Sequence, residues 1–171
     1  MFGTINYLME LIFKQYTDAN FNDLASCMQK LQTYVVDLDP LKQLQVSPGF
    51  GKVYTNNLIN KVDENYGRVI LVYDQDKIIG CIAGIIQTQT EDNLVGYIPS
   101  TVGRIIELFV SEEYRGFDIG KKLMEKMEDY FKEKKCDTSR VEVFVPNVGA
   151  HGFYQKSGYN DRLTDMIKLL K

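Results

Sequence analysis

The most constraining segment of the chain is its most apolar one, IIGCIAGII over Ile78–Ile86. It is nine residues long and carries two glycines, whereas a membrane-spanning helix needs about 20 apolar residues. A run of this length, rich in isoleucine and bounded by turn residues, is the pattern of a strand covered on both faces. Upstream lies a second β-rich run, Arg68–Tyr73, separated from Lys77–Gln87 by Asp74-Gln75-Asp76, and the two predict an antiparallel hairpin. Arg104–Val110 reads as a third strand of the same sheet. A covered hairpin of this kind needs helices to cover it, so the rest of the chain is read with that requirement in mind.

Helical periodicity is found on both sides of the hairpin. After Thr17 and Asp18, which suit a helix start, the stretch FNDLASCMQKLQTYVV places Phe21, Leu24, Ala25, Met28, Leu31 and Val35 at three- and four-residue steps, and Asp39-Pro40 ends it. Residues 41–52 read as a loop and 53–64 as a second helix. Residues 91–103, with Pro99, read as another loop. Ile119, Leu123, Met124, Met127, Tyr130 and Phe131 make one face of a helix over 119–135. Residues 8–14 and 140–145 have strand patterns, 147–157 form a short helix closed by Gly158, and DMIKLL over 165–170 is expected as a last strand. The resulting order, β α α β β β α β α β, predicts an α/β (α+β) domain over 1–171 with a mixed, mostly antiparallel central sheet flanked by helices.

Charge and composition narrow the function. The net charge is −3 over 171 residues, which does not fit general nucleic-acid binding, where phosphate must be neutralised by a surplus of Lys and Arg. Cys27, Cys81 and Cys136 are odd in number and far apart, a pattern of buried thiols in a reducing, cytoplasmic setting and not of a disulfide framework. A single histidine, His151, offers no His-rich metal site. The N-terminal stretch has neither a basic leader region nor a cleavage pattern, so no membrane association is expected.

Two segments carry the chemistry. SEEYRGFDIGKK lies between the strand ending at Val110 and the helix starting near Ile119. Gly116 and Gly120 permit close backbone approach, and the helix start behind them offers unpaired N–H groups and a positive dipole end, an anion site suited to phosphate. Arg115, Lys121 and Lys122 add charge. The alternative is a glycine turn in which Asp118 caps the helix. The glycine spacing fits neither a Walker A loop nor a dinucleotide fingerprint. The second segment, NVGAHGFYQKSGY, sets Ala150, Phe153, Tyr154 and Ser157 on one helical face, with Tyr154 at its edge.

Together, YRGFDIGKKLM and VEVFVPNVGAHGFYQKSGY resemble the GNAT superfamily of acyl-CoA-dependent N-acyltransferases, with patterns [QR]xxGx[GA] and NxxAxxFYxKxGF. Asn147, Ala150, Phe153, Tyr154, Lys156, Gly158 and the aromatic Tyr159 match the second pattern, a coincidence expected on the order of 10⁻⁹ per start position at ~5% usage each. The resemblance implies an acetyltransferase with acetyl-CoA as co-substrate, splayed parallel strands at the acyl-CoA cleft, and no metal. It implies that Leu108, Phe109 and Val110 offer backbone groups to the pantetheine, and that Arg115, Gly116, Phe117, Asp118, Ile119, Gly120 and Lys121 cradle the pyrophosphate. Asn147 would hold the pantetheine arm, and Tyr154 would protonate the departing thiolate.

One position departs from the pattern: Asp118 stands where glycine is expected. Asp tolerates a left-handed backbone, but its charge opposes a pyrophosphate, so weakened CoA binding is expected. Glu107 is the candidate base for an incoming primary amine, the partner the resemblance implies. Alternation along a strand leaves open whether position 106 or 107 faces the cleft, and only Glu107 can titrate. Tyr34, Asp37 and Asp39 lie where the family places acceptor specificity, and the two carboxylates could hold a cationic amine. His151, at a variable position of the motif, is expected at the surface or supporting a site residue, not as a catalytic group. A small amine is preferred over a protein acceptor, a homodimer is admitted, and the alternative is a non-catalytic acyl-CoA-binding sensor.

Overall fold

The structure, a computed structural model, describes residues 9–170. One five-stranded sheet organises them, with strands β1 (Leu11–Gln15), β2 (Arg68–Asp74), β3 (Lys77–Thr88), β4 (Thr101–Val110) and β5 (Thr138–Val141) side by side in that order. Every neighbouring pair is antiparallel except β4 and β5, which run parallel. The mixed, mostly antiparallel sheet is the one expected from the sequence.

Alternation along β2 divides the core in two. Val69, Leu71 and Tyr73 point to one face, where α1 (Phe21–Leu38) and α2 (Phe50–Glu64) close over them with Leu24, Cys27, Met28, Leu58 and Val62. Ile70 and Val72 point to the other, against Ile119, Leu123, Met124, Met127, Tyr130 and Phe131 of α4 (Ile119–Glu133). All six apolar positions of that helix are buried, as their spacing requires. The Phe131 ring crosses the sheet where it has no side chains of its own: a Cβ on Gly103 would lie 2.3 Å from the ring, and one on Gly84 would lie 2.7 Å from it. The two glycines create the slot, and burying the ring there removes a large apolar surface from water.

Several boundaries differ from the sequence reading. The first strand is Leu11–Gln15 instead of 8–14, and residue 8 lies outside the described residues. Helix α2 starts at Phe50, three residues earlier than expected, because Gly49 takes φ +75° and turns the chain into the helix there. The loop over 91–103 contains a one-turn helix, α3 (Glu91–Leu94), and gives way to β4 at Thr101.

Two differences are larger. The strand expected over 140–145 is Thr138–Val141, because pairing with β4 stops at Ile105 opposite Val141 and the chain then turns away. The strand expected over 165–170 is absent. Met166, Ile167 and Leu170 are 88%, 63% and 90% exposed, and the segment joins no ladder. A strand exists only where a neighbour takes up its backbone groups, and an apolar run has the composition for one without supplying that neighbour.

Candidate active site

The cleft opens where β4 and β5 part. Beyond Ile105, β4 continues to Val110 with its inner edge paired to β3, from Ile82 opposite Leu108 to Gly80 opposite Val110, while the chain after β5 diverges toward Asn147. The opening holds a cavity of about 220 Å³ bounded by Ile105–Leu108 on one side, Val141–Phe144 and Asn147 on the other, and Met28, Gln32 and Phe50 above. A second cavity of about 340 Å³ adjoins it along β4, lined by Tyr54, Asn57, Leu58, Lys61, Arg104 and Glu142. Glu107 and Tyr54 line both.

A β-bulge decides what β4 presents. Ala83 pairs with Glu107 and Gly84 with Ile105, so Ile106 is the extra residue. Ile105 packs on the α4 face, whereas Ile106 and Phe109 pack on the α1/α2 face. The bulge therefore lets Ile106 and Glu107 face the same side, which strict alternation forbids, and the choice between positions 106 and 107 does not arise. Bulges commonly re-aim a side chain beside a site in this way.

Glu107 accepts a hydrogen bond from the Tyr54 hydroxyl. Burial raises its carboxyl above the ordinary range, a shift that the Tyr54 bond and the Lys61 charge oppose without cancelling. Tyr54 is stacked on Phe50 at 5.2 Å between ring centres, and its own proton is held tightly by burial and by the neighbouring carboxylate. Across the cleft, Tyr154 of α5 (Val148–Lys156) is 9% exposed, packed edge-on against Phe153 and Tyr159. Burial, with the charge of Glu107 added, pushes its phenol up to about 12. A carboxyl made more basic and a phenol held protonated thus face one space, the pairing needed for a group that takes a proton and a group that gives one.

Asn147 caps α5: its Oδ1 accepts from the Ala150 N–H at 3.1 Å and from the Tyr34 hydroxyl at 3.4 Å. That arrangement fixes the amide plane and leaves its NH₂ group outside both bonds, on a residue that lines the cavity. Arg115 stacks over the Tyr34 ring at 4.9 Å and donates from Nε to the Val110 carbonyl at 3.1 Å. Tyr34 is therefore tied to Arg115 and Asn147, on the side expected to hold the acyl donor.

At the start of α4, the first intrahelical bond runs from the Lys122 N–H to the Asp118 carbonyl at 3.0 Å, leaving the N–H groups of Ile119, Gly120 and Lys121 unused by the helix. Gly116 and Asp118 take φ +84° and +58°. Asp118 thus adopts the left-handed backbone, and its side chain makes no capping bond, so the capping alternative is not what the fold contains. Gly120 has a packing reason: a Cβ there would meet the Phe153 ring at 3.3 Å. Phe117 is exposed and Lys121 pairs loosely with Glu125 at 3.9 Å, while Ile119 buries its side chain in the core. Leu108 and Val110 pack on the α4 face and Phe109 on the other.

The two acidic candidates lie outside both cavities. Asp37 is exposed. Asp39 is buried, and its carboxylate accepts from the N–H groups of Leu41, Gln43 and Leu44 at 2.9, 2.6 and 2.9 Å, fixing the loop after α1. Burial disfavours its charge, but the three amides and Lys42 outweigh that and hold the carboxyl below the usual range. His151 is at the surface, bonded to Asp161 at 2.7 Å. The residues missed in the sequence are Tyr54, Asn57 and Lys61, one stripe of α2 at steps of three and four, and Arg104 with Glu142, which form an ion pair across the parting strands. The stripe was readable as polar residues on a helix that the core also claims.

A mixed sheet whose parallel pair parts over a cleft lined by residues of α1, α2, β4 and the start of α5 is an α/β architecture with its opening where the strands diverge. The chain belongs to the acetyltransferase (GNAT) family, whose model matches residues 35–159. An uncharacterised N-acetyltransferase of Methanocaldococcus jannaschii is 39% identical over 79 residues, 43% of this chain and 51% of that protein. One of Archaeoglobus fulgidus is 31% identical over 102 residues, 53% of this chain and 65% of that protein. The matched segments thus span between half and two thirds of these relatives. A predicted acetyltransferase of Clostridium acetobutylicum, solved with acetyl-CoA, has the same fold with a TM-score of 0.66 at 18% identity, covering 93% of this chain and 95% of that one.

Proposed function

We propose that the protein transfers an acetyl group from acetyl-CoA to a primary amine by direct attack. The observation that carries this reading is the placement of Glu107 and Tyr154 on one cleft, beside the unpaired outer edge of β4 and the unused N–H groups that open α4. Family membership and a structural relative solved with acetyl-CoA support the donor. Asn147 would hold the pantetheine arm through its free NH₂ group, and Gly116–Lys121 would meet the pyrophosphate with backbone N–H groups and Lys121.

In the reaction the amine nitrogen bonds to the thioester carbonyl carbon and the carbon–sulfur bond breaks, giving an amide and CoA thiol. Glu107 receives the proton the amine must lose, directly or through water, and Tyr154 donates one to the departing sulfur. Outer-edge amides of β4 polarise the carbonyl, and the walls position the two substrates. The cysteines line neither cavity, so the transfer needs no acyl-enzyme. Three free thiols support placement in a reducing cytoplasm, and among the described residues no helix is long and apolar enough to cross a membrane.

The test is thiol release from acetyl-CoA across a panel of amines, run beside calorimetric titration of acetyl-CoA. Binding with release supports the enzyme. Binding without release from any amine would favour a sensor module, and no binding would refute both.

A further inference from the structure

The larger cavity has a charge pattern that the acyl-transfer reading does not use. It is built on the α2 stripe Tyr54, Asn57, Leu58 and Lys61, facing Arg104 to Glu107 of β4. Its charged lining consists of Lys61, Arg104, Glu107 and Glu142. Glu107 and Tyr54 mark one end. Lys61 stands two helical turns beyond Tyr54, about 10 Å along the axis, and Arg104 pairs with Ile85, two ladder positions from the Ala83–Glu107 pair, about 7 Å along the sheet. The backbones of both cations therefore lie displaced along the cavity from Tyr54 and Glu107, with the Lys61 charge still within reach of the Glu107 carboxyl.

Their partners are unequal. Arg104 is paired with Glu142, whose side chain is 74% exposed and free to swing into solvent. Lys61 makes no ion pair among the described residues. The acidic residues expected to attract a cationic amine, Asp37 and Asp39, are outside this space, and Asp39 is occupied by loop amides. A second ammonium group would meet Lys61 and Arg104 at the far end, while an anion there would complete Lys61 and compete with Glu142 for Arg104.

We propose that the acceptor is a small amine whose far end carries a carboxylate or phosphate, with Lys61 and Arg104 as its anchors and the amino group directed at Glu107. This rests on the acyl-transfer reading and names the acceptor class for that site. Lys61 is the specificity-determining residue, since Arg104 already has a partner.

The test uses three acceptors of equal length that differ only at the far end: 5-aminopentanoate, pentylamine and 1,5-diaminopentane, each assayed by thiol release from acetyl-CoA with the full chain. The expected order of kcat/KM is aminopentanoate, then pentylamine, then the diamine, with steps of about three- to fivefold, the size of one partly exposed ion pair. In Lys61→Glu the order reverses, the loss for aminopentanoate appearing in KM; because Lys61 is exposed, the variant folds. Release from all three at equal rates, or an unchanged order in Lys61→Glu, would overturn the acceptor class while leaving acetyl transfer standing. Release only from peptides with acidic N-terminal residues would place the anion on a protein and overturn the small-acceptor assignment. Release from no amine at all would overturn both readings.

Discussion

Replacing Tyr154 with phenylalanine removes one oxygen from a ring that is 9% exposed and held between Phe153 and Tyr159. The hydroxyl has no hydrogen-bond partner among the described residues, so the change strands no buried donor and the Tm should stay within about 2 °C. The chemical effect is separate. With the phenol at about 12 and an ordinary thiol near 8.5, protonating the sulfur from Tyr154 is uphill by about 5 kcal/mol in the empty cleft. Substrate narrows that gap. A thiolate leaving inside the same walls is desolvated as the phenol is, so its own pKa rises, and the difference falls toward the ~2 kcal/mol that separates the two groups in water.

A proton donor placed in this way is worth about 10²–10⁴ in rate. Tyr154→Phe should therefore lower kcat by at least about 100-fold, or about 2.7 kcal/mol of transition-state stabilisation. The KM for acetyl-CoA should change little, because the ring still fills its place. Initial rates of thiol release at saturating amine, with a thermal melt of the same preparation, measure both. A kcat within about threefold of the parent, in a variant that melts normally, would remove Tyr154 from proton transfer and leave the thiolate to depart unprotonated.

Glu107→Gln should lose about 100-fold in kcat and, with it, the fall in rate expected of the parent as pH drops through the raised carboxyl pKa. The folded carboxyl is more basic than in the unfolded chain, so its contribution to stability is present at low pH and is lost as pH rises through the folded value; the glutamine variant should melt no lower at pH 7. Asp118→Gly removes a carboxylate from the start of α4 and a non-glycine residue from φ +58°, and a titration should show acetyl-CoA bound about three- to tenfold more tightly. Gly103→Ala drives a methyl into the Phe131 ring and should cost about 1–3 kcal/mol, a fall in Tm of several degrees by calorimetry. Asp39→Asn should leave amine KM values unchanged while loosening the loop after α1. Because the Asp39 pKa is lowered by folding, the parent's advantage should be present above its unfolded value and vanish as pH falls through the folded one.

What could be read from the sequence follows from which interactions are local. The faces of α1 and α4, the β2–β3 hairpin and the left-handed tolerance of Asp118 depend on residues within a few positions of one another, and they fold as their spacing requires. Tyr154 falls on its helix face for the same reason, whereas Asn147 and the proposed role of each come from the resemblance of the whole segment, which spacing alone does not supply. Glu107 was not legible, because its direction depends on a bulge, and a bulge is a property of two strands. Only when Ala83 pairs with Glu107 and Gly84 with Ile105 does Ile106 become surplus. Tyr34 and Asp39 show the converse. Each was placed by its position at the end of α1, yet Tyr34 is claimed by Arg115 and Asn147, the latter 113 residues away, and Asp39 by three loop amides. The larger cavity combines both difficulties, since Lys61 comes from α2, Arg104 from β4 and Glu142 from the chain leaving β5. Its charge was therefore hidden in a sequence whose acidic residues near α1 suggested the opposite sign, and the cations become visible only once β4 and β5 part.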